Sequence, residues 1–159
     1  MQNFKIVPLS KAYANKIRST QKDDFGNAVT EQLATGKGPC RVSLKPFNVG
    51  EEMRLVFSHS PFTIDNAFNQ PGPIFINKEA VEPYNDVYRF PPEIKADKKH
   101  FPLSLVGYDK TQQMVYARQV GDKDVDELIV SIFNKHPEVD YLHARNAEAC
   151  CFICKIERI

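Results

Sequence analysis

Tryptophan is absent from these 159 residues, glycine occurs only seven times, and neither sign of charge prevails: 21 Lys and Arg stand against 20 Asp and Glu, a formal net charge of +1. That balance leaves no basic stripe to follow a phosphate backbone, so nucleic acid is not an expected partner. The run Lys95, Lys98, Lys99 and His100 is broken by Glu93 and Asp97 and reads as a solvated loop. No apolar stretch approaches the roughly 20 residues that span a bilayer. The first seven residues, Met1 to Val7, lack the apolar centre and small-residue cleavage site of a secretory leader. The expectation is a cytoplasmic protein with no membrane partner. There is no Gly-x-Gly-x-x-Gly and no phosphate-binding Gly-Lys-Ser/Thr loop, and no cofactor is expected. Cysteine is confined to positions 40, 150, 151 and 154, and a reducing compartment keeps such residues as thiols.

What is present is enough for one core. Eleven Phe, six Tyr and a 42% apolar content suit an ordinary soluble domain of this length. Phe4 to Val7 reads as a strand closed by Pro8, and Ser10 as the cap of a helix to about Ile17. Asp23 or Asp24 is expected to cap a second, weaker helix reaching Leu33, ended by Gly36 and Gly38. Strands follow at Arg41 to Leu44, Met53 to Phe57 and Ile74 to Ile76. A long irregular loop, Ser58 to Pro73, separates the last two; loops of that length are often functional. Glu79 to Pro102 is rich in Pro and charge and is expected to wrap the surface. Leu103 to Tyr108 and Met114 to Val120 form a hairpin. Val125, Leu128, Ile129, Ile132 and Phe133 mark a core-facing helix from Asp122 or Asp124 to about Lys135. Val139 to Ala144 and Cys151 to Ile156 close the chain as strands. Hairpins outnumber crossovers, so the sequence predicts an α+β single domain over residues 1–159, with a mainly antiparallel or mixed sheet and two or three helices packed on it.

The stretch Gly38-Pro39-Cys40-Arg41-Val42-Ser43-Leu44 joins a turn signal, a thiol and a guanidinium. Together with Gly50-Glu51, His59, Gly72-Pro73-Ile74-Phe75-Ile76, Tyr108-Asp109 and the segment Tyr141 to Arg158, it resembles the bacterial family known as domain of unknown function 1203. The resemblance runs from about Gly38 onward and implies a single domain; it brings no activity with it. Where the family pattern tends to carry His-Asn-Ala followed by Gly-Cys, this chain has Arg145-Asn146-Ala147 and then Ala149-Cys150-Cys151. Arg145 could not replace a histidine there as a base or a metal ligand.

The candidate site is drawn from side-chain chemistry. Arg41 offers a planar fork for a carboxylate or phosphate, against the plainer reading of an internal ion pair. His59, at a strand end, suits general acid–base work because its ordinary pKa of about 6.5 lies near neutrality; surface histidines without function are common. Cys40 beside a cation could act as a nucleophile. If 41–44 is a strand, however, Cys40 and Arg41 face opposite ways and Cys40 is a small buried hydrophobe. Gly72 could bring backbone close to a ligand, or simply turn the chain. Asn146 could contact a ligand, or sit in a left-handed turn. Cys151 and Cys154 have the spacing of a zinc knuckle, but a second Cys-x-x-Cys is missing and the intervening residues read as strand, so no metal is expected.

Two functions are carried forward. One is binding of a small anionic molecule by Arg41, His59, Asn146 and Gly72. The other is an enzyme at the same place, with His59 and Cys40 as catalytic groups and Arg41 stabilising an anion. A protein-interaction module using Glu82 to Pro102 is a third reading, and an exposed edge strand would support a homodimer.

Overall fold

The computed structural model describes residues 2–159. Its elements, in chain order, are β1 (Phe4–Val7), α1 (Lys11–Thr20), β2 (Thr30–Leu33), β3 (Met53–His59), β4 (Gly72–Asn77), α2 (Pro92–Lys95), β5 (Leu103–Tyr108), β6 (Met114–Gln119), α3 (Val125–Lys135), β7 (Tyr141–Asn146) and β8 (Phe152–Arg158). The strands form two antiparallel sheets rather than the single sheet expected. A five-stranded sheet has the order β1-β8-β7-β5-β6, and a three-stranded meander runs β2-β3-β4. Mostly sheet with few helices, the architecture is α+β.

Strand alternation gives the large sheet two different faces. Leu103, Leu105, Leu142, Ala144 and Ile156 point to one side, where Ile129, Ile132 and Phe133 of α3 pack on them together with Phe90, Ile94 and Phe101 from the Pro-rich segment. The apolar stripe read from the sequence is therefore core, and Asp124 caps the helix by accepting from the Glu127 amide at 3.1 Å. The opposite face carries Val106, Tyr108, Tyr141 and His143, and Phe62 from the loop after β3 covers it. A register shift in the β7–β8 ladder sets Phe152 opposite Arg145, turning its ring toward this second face.

The small sheet has its own core. Ala14 and Ile17 of α1 pack against Leu55, Phe57, Ile74, Ile76, Cys40 and Val42. Ser10 caps α1 as expected, accepting from the Tyr13 amide at 3.0 Å.

Two sequence expectations are corrected here. The helix from Asp23 or Asp24 to Leu33 does not form. Asp23 does act as a cap, but of a turn: its Oδ1 accepts from the amides of Phe25 and Asn27 at 2.8 and 2.9 Å. Residues Thr30–Leu33 then gain more as an edge strand against β3, where Arg54 donates to the Gln32 side chain at 2.9 and 2.7 Å. Local side-chain capping competed with the helix and tertiary pairing decided the outcome.

Arg41 to Leu44 is likewise not a strand. Cys40 makes a single parallel bridge to Phe75, Arg41 N–H donates to the Phe75 carbonyl at 2.9 Å, and the chain turns at once, with Leu44 N–H returning to the Cys40 carbonyl at 2.9 Å. The alternation argument that put Cys40 and Arg41 on opposite faces therefore lapses; both side chains are buried.

Gly38 enters this turn at φ +87°, and a Cβ there would lie 2.6 Å from Phe47 Cε2 and overlap Cδ2. Gly38→Ala is expected to lower stability by about 2–3 kcal/mol, combining left-handed strain with ring displacement. Urea unfolding checks it, and a loss under about 0.5 kcal/mol, the range of ordinary surface changes, would show that the turn yields freely.

Candidate functional site

The two sheets meet where the end of β3 and the start of β4 approach the start of β8. A cleft of about 190 Å³ opens at this junction, lined among others by His59, Gly72, Arg145, Cys150, Cys151 and Phe152. No acidic side chain of the described residues lines it. Of the residues expected from the sequence, His59 and Gly72 are here. Arg41 lies behind the wall, and Cys40 is packed in the small sheet's core, 1% exposed. Asn146 does not line the cleft. Its Oδ1 accepts from the amides of Glu148 and Ala149 at 2.9 and 2.8 Å and holds the β7–β8 turn.

Arg41 is fully buried. Its Nε donates to the Phe152 carbonyl at 2.6 Å and its Nη1 to the Pro39 carbonyl, while Nη2 has no hydrogen-bond partner among the described residues. No ion pair to a carboxylate forms there among the described residues. Burial lowers its pKa, and the groups that work to hold its charge are thiols: Cys151 first, then Cys40 and Cys154. A buried cation with only carbonyls and thiols around it is costly, because the desolvation penalty is met by no opposite charge.

His59 is held by a relay. The Tyr13 hydroxyl donates to Asp24 Oδ2 at 2.6 Å, so its oxygen is free to accept from His59 Nδ1 at 3.2 Å. That network assigns the proton to Nδ1 and leaves Nε2 with its lone pair. Burial brings the His59 pKa down to about 4, with Asp24 opposing and Arg41 adding to the fall. The imidazole is therefore neutral at pH 7.

A second histidine lies beneath. His143 is fully buried within a box of Phe62, Tyr108, Tyr141 and Phe152, with ring centroids 4.8 to 5.3 Å away. Neither ring nitrogen has a hydrogen-bond partner among the described residues. Burial lowers its pKa to about 2, helped by Arg145 and Lys155. Arg145 follows it by two on the same face of β7 and donates to the Cys150 carbonyl at 3.1 Å.

The cysteines separate by environment. Cys154 is buried and pushed up to about 12. Cys150 occupies a left-handed turn position at φ 66° and is exposed; the strand expected from Cys151 begins only at Phe152. Cys151 is half-buried and faces the cleft. Sequence reading missed Cys151, Arg145, His143 and the Tyr13–Asp24 pair as site residues. The two-residue spacing of Tyr141, His143 and Arg145 was a signal that one strand face carried polar rings and a cation.

A larger cleft, about 670 Å³, lies between α2 and the start of α3 over Phe101, Leu103 and Val120. Two of its lining cations have partners: Lys95 pairs with Asp124 and Asp126, each at 2.7 Å, and Lys98 donates to the Gly121 and Lys123 carbonyls.

Among the described residues no helix is long and apolar enough to cross a membrane, and no group of three His, Cys, Asp or Glu is gathered to hold a metal. A family model described as Protein of unknown function (DUF1203) matches residues 37–158. The chain belongs to this family. No curated protein and no solved structure matches it. The DUF1203 match takes in every lining residue of the smaller cleft, together with Arg41 and His143. Tyr13 and Asp24 precede it, so the relay that orients His59 comes from outside the matched segment.

Proposed function

We propose that this DUF1203 protein binds a small anion in the cleft between its two sheets. The observation that carries the reading is the buried Arg41 guanidinium, whose Nη2 is unpartnered and whose charge no carboxylate answers among the described residues. Arg145 at the mouth adds a second cation, and the lining is free of acidic side chains. An anion in the cleft would offset the buried charge, since the attraction between opposite charges strengthens where water is excluded. Arg41 acts from behind the Cys151–Phe152 wall, and Arg145 supplies the direct contact.

Inorganic phosphate is the simplest probe. At constant ionic strength, phosphate at ten times its dissociation constant is expected to raise the Tm by about 4 °C relative to chloride. Arg145→Gln is expected to abolish the difference. An equal rise in the variant would assign the effect to bulk salt and sink the reading.

The Asp24–Tyr13–His59 relay favours a second reading, an enzyme in the same cleft. A neutral imidazole with its free nitrogen fixed can accept a proton, and the pKa of about 4 that burial gives it makes it a weak base that returns the proton readily.

A further inference from the structure

We propose that Cys151 is a nucleophilic thiol and that the cleft takes a small electrophile bearing a carboxylate, with His59 Nε2 accepting the thiol proton and Arg41 stabilising negative charge on the sulfur. The carboxylate in this proposal rests on the anion-binding reading; the thiol does not.

The four cysteines select the nucleophile. Cys40 and Cys154 are sealed in the two cores, beyond the reach of a solute. Cys150 is exposed, and its Sγ donates to the Glu148 carbonyl at 3.7 Å. Cys151 and the exposed Cys150 both line the cleft that holds His59, and of the two it is Cys151 that also faces Arg41. A thiolate is the reactive form of cysteine, and a neighbouring cation with an adjacent base is the arrangement that produces it. The unpartnered Nη2 belongs to that same Arg41, and a buried guanidinium with a spare donor and no carboxylate beside it among the described residues fits an anionic partner at this wall.

The step balances simply. The Cys151 proton passes to His59 Nε2, directly or through one water. The sulfur lone pair attacks the electrophilic carbon, a C–S bond forms, and the bond to the leaving group breaks. The leaving group departs with its electron pair as an anion. Arg145 at the mouth would hold the carboxylate while the reacting carbon lies over the sulfur. A cleft of about 190 Å³ limits the substrate to a few heavy atoms.

The test uses the whole protein in its native state, with iodoacetate and iodoacetamide as probes, and peptide fragmentation to score each cysteine. Cys150 is the internal reference, a more exposed thiol of the same cleft that does not face Arg41. Cys151 is expected to react about tenfold or more faster than Cys150 with both reagents. The iodoacetate-to-iodoacetamide rate ratio is expected to be higher at Cys151 than at Cys150. His59→Gln should slow Cys151 about tenfold or more and Cys150 far less, with Tyr13→Phe, which keeps the ring and removes only the hydroxyl, moving the same way to a smaller degree. If Cys151 reacts no faster than Cys150 while phosphate still raises the Tm, the thiol proposal falls and the anion reading stands. If Cys151 is fast with iodoacetamide but shows no preference for iodoacetate, the carboxylate-bearing substrate is overturned, and the anion reading falls with it only where phosphate also fails to raise the Tm. Unchanged Cys151 rates in both variants would overturn the role of His59.

Discussion

Lowering the pH from 6.5 to 4.5 is expected to cost the protein about 4 kcal/mol of stability, from two histidines that stay neutral in the fold. The folded pKa of His143 is lowered to about 2 and that of His59 to about 4, both from an ordinary value of 6.5. Both values are depressed, so the stability is fully present above pH 6.5. It is lost as the pH falls toward the folded values, because the unfolded chain takes up protons that the native one refuses. Asp97, Asp109 and Asp124, whose pKa values are lowered, act in the same direction but from ordinary values of 3.8, below this window.

His143→Phe separates the contributions. It keeps an aromatic ring against Phe62, Tyr108, Tyr141 and Phe152 and removes two buried nitrogens without partners. An unsatisfied buried polar atom costs about 1–3 kcal/mol, and the extra ring volume returns part of that, so the variant is expected to be about 1 kcal/mol more stable at pH 7. Its loss between pH 6.5 and 4.5 should shrink by about half. Urea unfolding across this range measures both. An unchanged pH dependence in His143→Phe would refute the assignment of acid sensitivity to this ring.

Arg41→Ala is expected to cost about 4 kcal/mol, the other large effect. The side chain is the largest fully buried one among the described residues. Truncation leaves a cavity between the two cores and takes the donor from the Phe152 and Pro39 carbonyls. Relief of the buried charge offsets part of that loss. Arg41→Met fills most of the space and removes the charge; it is expected to be about 2 kcal/mol more stable than the alanine variant, yet to lose the phosphate-induced rise in Tm. Urea titration gives the first result and thermal shift the second. A full phosphate response in Arg41→Met would show that the guanidinium is structural only.

Legibility followed hydrogen-bond locality. The helix over Val125–Lys135 was readable with a cap at Asp122 or Asp124, of which the structure uses Asp124, because a stripe at helical spacing and a capping carboxylate are both local. Leu103–Tyr108 was readable from end to end as a strand. Thr30–Leu33 was not, because a short polar edge strand is defined by its partner β3 and not by its own side chains. The Gly38–Leu44 stretch misled for a related reason. Its residue types suit a strand, but a single bridge to Phe75 is all the sheet offers before the chain turns.

By itself the sequence determined the secondary elements with strong periodicity, the mostly sheet α+β character and the family mark. Those depend on side-chain alternation and on motifs within a few residues of each other. Only the tertiary structure decided that the strands divide into two sheets, that Arg41 is buried without a carboxylate, and that Cys151 rather than Cys40 shares a cleft with His59. His59 and Cys151 lie on different sheets, and the Tyr13 hydroxyl that orients the imidazole comes from a helix 46 residues away. Such contacts arise from how two hydrophobic cores pack against each other, which no local pattern encodes.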